Sequence, residues 1–543
     1  NSTPDLPTDI TAHCNPRRFK TYKNMKVFMK LIFGTTIATF AVGMTSAENT
    51  RALRAWKKNK GPTKQKTIDD GLCLGLIRGT QYEDHHTVMK PVCQKSDGTI
   101  VEIVDKSASD ELVEKFKKGE FNSGEMNIEG CTFQVNKKGE TVCGVSKKKK
   151  LSLKNSKPKH RNLAVVTGDK SVLVVKVIAD NASTSADTAV LSDSVFGNNG
   201  DPVNLKSQFG ACSNSQLNII EAEARGFAQG TNPGLGNTVI SQGAVAVRVN
   251  LNTNVGDGTM VNGALNKLEE NFNVGSAASL ADHVMICLPP GTMSGIAYAY
   301  VNSYLSVYSD NWCMYVSAQM HEIGHNLNLG HSGEGNAQYA DQTGMMGYSY
   351  SSNDTPQMCF NPAKSWQLGW YSDKATSLSN TGDNFIGDLS GIADSDTTAN
   401  EVLVKISASS TNGDYFVGFN AQRGLNSETQ EAPNQVTVVR QNTGYSQSRL
   451  VAKLGTGGTY AMNDGTDASI LVESIDTQAG TASVKICVGP CPAATSAPVT
   501  PAPVTPAPVT PAPVATPAPI TPAPVTPAPV TPAPVATPAP ITP

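Results

Sequence analysis

The chain has 543 residues and a mass of 57.2 kDa, more than one compact domain usually holds. Hydrophobic residues make up 39% and charged residues 17%, which excludes a wholly disordered chain. The net charge of −2 conceals a split. Residues 1–161 carry 30 Lys and Arg against 17 Asp and Glu, whereas residues 162–543 carry 14 against 29. The acidic bulk argues against nucleic acid as a partner and leaves the basic first third to be explained.

In chain order, residues 1–24 read as an extension upstream of a leader. Lys26 and Lys30 precede the apolar run Leu31 to Met44, and Thr45-Ser46-Ala47 follows with small side chains. The run is too short and too rich in Thr and Gly to span a bilayer. Basic, apolar and small residues in that order describe a secretory signal peptide at 25–47, with no transmembrane span expected in the mature chain. The ten cysteines beyond the leader fall into groups of four, four and two, as disulfides within domains of a secreted protein would.

Residues 48–161 are Lys-rich and close with two basic clusters, Lys147 to Lys150 and Lys157 to Arg161. The segment reads as a basic propeptide with a processing site, docked on an acidic partner domain by opposite charge. A basic N-terminal domain that is never removed is the alternative.

From 162 to 378 apolar runs alternate with helical patterns, the mark of an α/β (α+β) domain. Strands are expected at 171–179, 216–220, 244–251 and 283–288, and helices at 187–195 and 259–272. Residues 296–308 alternate Tyr with small or polar residues and read as an edge strand. Between 379 and 489 short alternating runs at 401–406, 414–419, 435–440, 469–474 and 482–487 predict a small all-β, sandwich-like domain. In the tail, 490–543, residues 501–521 recur letter for letter at 522–542. So much proline favours polyproline II and excludes a packed core.

The chemistry sits at 321–331, His-Glu-Ile-Gly-His-Asn-Leu-Asn-Leu-Gly-His. On a helix His321 and His325 project from one face and can bind one metal, with Glu322 beside them as a non-ligand. A catalytic zinc site wants a third protein ligand and one open position. His331 serves only if the helix ends sharply, and Asn328 stands where a residue tolerant of positive φ is needed. Downstream, Gly344-Met345-Met346-Gly347-Tyr348 forms a methionine-bearing turn.

These segments, with the surroundings WCMYVSAQM before the motif and MCFNPAKSWQLGWY at 358–371, resemble the metzincin metalloproteases and specifically the gametolysin family of algal matrix-degrading proteases. The resemblance implies a zinc endopeptidase with a mostly parallel five-stranded sheet, acting as a monomer on proline-rich wall or matrix glycoproteins. It implies Zn²⁺ on His321, His325 and His331, Glu322 as general base, and Met346 as an apolar floor. Tyr348 matches the place of a metal-proximal tyrosine in some metzincins, which implies a catalytic role as a resting zinc ligand or as a stabiliser of the oxyanion; a core tyrosine is the alternative. Cys143-Gly144-Val145 resembles the cysteine switch of other metzincin propeptides, but the flanking residues lack its arginine and aspartate. Cys73, Cys93, Cys131 and Cys143 also make an even set, and two disulfides are the favoured reading.

A wall or matrix glycoprotein with a degenerate protease domain is the rival function. It accounts for the repeat tail and the sequons at Asn181 and Asn353, but not for a glutamate in the base position.

Overall fold

The computed structural model describes residues 72–82, 86–137, 139–145, 150–155, 166–227, 238–347, 354–442 and 445–492. The leader, the repeats, Lys147 to Lys149, Lys157 to Arg161 and Tyr348 lie outside these residues. Residues up to Cys491 form one unit and Pro492–Pro543 another. The architecture is mixed α/β with several sheets, and among the described residues no helix is long and apolar enough to cross a membrane.

The described part of the basic segment is folded. It contains β1 (Cys73–Gln81), β2 (Thr87–Gln94), β3 (Ile100–Ile103), α1 (Lys106–Lys117), β4 (Met126–Glu129), β5 (Cys131–Val135), β6 (Thr141–Val145) and β7 (Ser152–Asn155). Asp105 caps α1 by accepting from the Ala108 amide. Ile77, Phe116, Phe121, Ile128 and Phe133 form the core. Disulfides Cys73–Cys93 and Cys131–Cys143 brace it, as suits a domain with so little apolar volume.

Next come β8 (Gly168–Ile178), α2 (Thr188–Phe196), α3 (Leu205–Cys212), β9 (Leu217–Glu221), β10 (Ala244–Arg248), α4 (Asp257–Phe272), β11 (His283–Leu288), β12 (Ala297–Tyr300), β13 (Leu305–Ser309) and α5 (Val316–Asn326). β8 pairs in parallel with β9, β10 and β11, and β11 with β13. Val172 and Val174 enter a core shared with α2, α3 and α5, while Leu173, Val175 and Val177 enter one shared with α4. Covered on both faces, β8 carries the apolar stretch Val172 to Ile178, interrupted only by Lys176.

Two expectations need correction here. Residues 296–308 form a hairpin, β12 antiparallel to β13, turning at Asn302 with φ 53°. Nor does the sheet stop at five strands. β12 pairs antiparallel with β1, in the register Arg78 to Tyr300 and Gln81 to Ala297, so the sheet runs on through the N-terminal domain to thirteen strands. The strand expected at an edge is therefore covered.

The last elements are β14 (Ser332–Glu334), α6 (Pro362–Leu368), β15 (Ala375–Leu378), β16 (Asn384–Ser390), β17 (Leu403–Ile406), β18 (Asp414–Asn420), β19 (Gln435–Gln441), β20 (Ser448–Leu454), β21 (Thr459–Ala461), β22 (Ala468–Asp476) and β23 (Thr481–Val488). A six-stranded sheet, β14-β20-β19-β18-β17-β15, shares a core with a four-stranded one, β16-β23-β22-β21. The first takes in β14 and β15, which precede residue 379. The strand directly after His331 thus belongs to the β-rich part.

Candidate active site

All eleven residues of α5 are buried. Two of its buried side-chain amides donate to main-chain carbonyls. Gln319 donates to the Cys313 carbonyl at 2.8 Å, and Asn326 donates to the carbonyls of Tyr300 and Leu305 at 3.0 Å each. The sheet hairpin thereby fixes the axial position of the helix that carries His321, Glu322 and His325.

The helix ends where Asn328 takes φ 70°, and the Leu329 amide bonds back to the Gly324 carbonyl at 2.9 Å. Gly330 follows with no room for a side chain, because a Cβ there would lie 2.3 Å from the Ser446 carbonyl oxygen. The Ser448 amide donates to the His331 carbonyl at 2.9 Å as β14 joins β20. This turn brings His331 Nε2 to 3.0 Å from His325 Nε2. Ligand atoms of the three histidines lie within 4.8 Å of one another.

The methionine turn lies directly below. The Met345 carbonyl is 2.7 Å from His321 Nδ1, and the Leu329 carbonyl is 2.8 Å from His325 Nδ1. Two main-chain acceptors hold the proton on Nδ1 and direct each Nε2 lone pair toward the cluster. Met346 is the side chain against the helix: a Cβ on Gly324 would lie 2.6 Å from its sulfur. Beneath, Asn361 Nδ2 donates to Ser332, Asp341 and Ser448 at 2.8–3.0 Å, and tethers the turn to β14 and β20.

Burial, then the neighbouring His325, holds His321 well below the usual imidazole range. Burial does the same to His331, and brings His325 down to about 4. The three rings are therefore neutral near pH 7, the state in which imidazole binds metal. Burial pushes Glu322 well above the ordinary carboxylate range, and its Oε2 has no hydrogen-bond partner among the described residues. Tetrahedral zinc with bonds of about 2.0–2.1 Å separates its ligand atoms by about 3.3 Å, close to the spacing of His325 and His331. The residues present fit a tetrahedral ion with nitrogen ligands.

The structure brings His321, Glu322, His325, His331 and Met346 together. Cys143 is elsewhere: its bond to Cys131 leaves no thiolate to offer a metal, so the cysteine-switch resemblance does not describe this chain. Two tyrosines were missed. Tyr339 Oη is 2.8 Å from His331 Nε2, and the Tyr445 ring centroid is 6.4 Å from that of His325. The usable signal for Tyr339 was a lone aromatic in the polar stretch 333–342.

A search of curated proteins finds no match to the chain. The family model described as gametolysin peptidase M11 matches residues 171–443, half of the chain, and spans every residue of the cluster. That family is one of metallopeptidases, which implies a metal cofactor and protein substrates. With three converging imidazoles inside the matched region, the chain belongs to the gametolysin M11 peptidases.

Proposed function

We propose that the chain is a secreted zinc-dependent endopeptidase of the metzincin kind, cleaving proline-rich glycoproteins of an extracellular wall or matrix. The observation that carries this reading is the convergence of three neutral imidazoles beside a buried glutamate whose Oε2 has no partner among the described residues. His321, His325 and His331 would hold the ion. Bound zinc supplies a Lewis acid that makes water nucleophilic near neutral pH. Glu322 takes the proton of the attacking water and returns it to the leaving amine, a task suited to a carboxyl whose affinity for protons burial has raised. The Met345 and Leu329 carbonyls keep two rings oriented throughout.

Export is supported by the leader pattern and by five disulfides among the described residues. The N-terminal domain acts as the propeptide. Its β1 occupies the edge of β12, where an extended substrate would otherwise add as a strand. Its Phe116 ring packs 4.6 Å from Tyr445, whose ring faces His325, and its Thr87 hydroxyl touches that of Tyr339. With the domain in place His321, His325 and His331 are at most 2% exposed.

Processed protein freed of metal by a chelator should lose peptide hydrolysis and regain it with one equivalent of zinc. Hydrolysis that survives complete metal removal contradicts the reading.

A further inference from the structure

The turn between β14 and the methionine turn contains one residue that does not suit a surface turn. Gly335, Asn336, Ala337 and Gln338 are exposed, yet Tyr339 is only 6% exposed. Its ring lies 4.1 Å from the His331 ring, and its hydroxyl is 2.8 Å from His331 Nε2, the nitrogen nearest to His325 Nε2. The turn that presents it is pinned. Glu334 and Ala337 exchange main-chain hydrogen bonds at 3.1 and 3.0 Å, and Gln447 Nε2 donates to the Gln338 carbonyl at 2.9 Å. The hydroxyl is thus held at the rim of the three-nitrogen cluster by an anchored backbone rather than by the packing of its own ring alone.

We infer that Tyr339 is a catalytic residue of this peptidase, its hydroxyl donating a hydrogen bond to the scissile carbonyl oxygen as negative charge builds there. The inference rests on the peptidase reading above. In the intact chain the hydroxyl has two neighbours, His331 Nε2 and the Thr87 hydroxyl. Both are lost on activation. A ligating His331 commits its Nε2 lone pair to the ion, and Thr87 departs with the N-terminal domain. The hydroxyl proton then has the substrate oxygen as its acceptor, fixed in place before the charge develops. The same contact keeps the donor engaged in the precursor.

The test is Tyr339→Phe in the processed holoenzyme, with wild type and Glu322→Gln alongside. The variant should keep one equivalent of metal and its Tm, bind an uncleavable substrate-like peptide as wild type does, and leave KM within about twofold. Removal of one such donor lowers kcat by about 10²–10³-fold, and affinity for a tetrahedral phosphinic peptide should fall by a similar factor. Unchanged kcat with unchanged phosphinate affinity overturns the assignment. Loss of the metal overturns it too, since Tyr339 would then be a ligand or a support for His331. A wild type without peptidase activity sinks the underlying reading, whereas an active wild type beside an unimpaired Tyr339→Phe sinks this inference alone.

Discussion

The main-chain carbonyl of Leu329 lies 2.8 Å from His325 Nδ1, four residues back along the chain. One turn at the end of α5 thereby does two things. It orients the second histidine and reverses the chain so that the third, His331, returns to 3.0 Å from it. Both depend on Asn328 at φ 70°.

Asn328→Gly should therefore be tolerated, while Asn328→Ala should destabilise by about 1–2 kcal/mol, the cost of placing an L side chain in the left-handed region. Metal affinity should fall with it, because the same strain moves the Leu329 carbonyl. Thermal melts and metal titration of the two variants decide this. Equal stability of Ala and Gly would remove the backbone explanation.

Much of this site was legible because it is local. The i, i+4 spacing of His321 and His325 and the demand for a turn at Asn328 are read within eleven residues, and β8 announces itself by a continuous run of Val and Leu. What stayed hidden depends on chain segments far apart. The β12–β13 hairpin turns at Asn302 without a nearby glycine or proline, so the alternation of Tyr and small residues ran through it unbroken. The pairing of Arg78 with Tyr300 leaves no periodic trace, and the core residues Ile77, Phe116 and Phe121 are thinly spread among lysines. Tyr339 gains its meaning only when β14 folds back beneath His331.

Processing is the next expectation. The sequence allows a cut anywhere from Lys147 to Arg161, but β7 pairs with β4 inside the N-terminal domain. A cut before Ser152 would leave β7 attached to the peptidase, so cleavage should fall at Lys157 to Arg161, with mature protein starting near Asn162. Mass spectrometry of the active form reads this directly. Because Cys143 is bonded to Cys131, thiol-reactive mercurials should leave the precursor latent. Activation by such a reagent would restore the cysteine-switch reading.

The Cys212–Cys359 disulfide closes 147 residues and ends beside the methionine turn, where the Cys359 carbonyl accepts from the Met345 amide at 2.8 Å. Replacing both cysteines with serine should cost about 2–5 kcal/mol, read by denaturant unfolding. A change too small to measure would mean that packing alone holds the turn.

Asp282 should contribute to the acid sensitivity of the fold. Burial opposes its ionisation, but hydrogen bonds from Arg225 and from the Ser171 amide and hydroxyl bring it down to about 2 from 3.8. A carboxyl depressed in the folded state stabilises above its unfolded value and loses that contribution as pH falls through the folded one. Wild-type Tm should thus drop between pH 3.8 and about 2 more steeply than that of Asp282→Asn. Parallel acid limbs would show that this carboxylate is not linked to folding.

In the proposed mechanism Glu322 moves the proton while the histidines alone hold the metal. Zinc content and kcat, measured on the same sample of processed Glu322→Gln, test it most directly. The variant should hold one equivalent of zinc with an unchanged Tm and a kcat lowered by about 10²–10⁴-fold or more. A zinc-loaded Glu322→Gln that turns over peptide near the wild-type rate would contradict it.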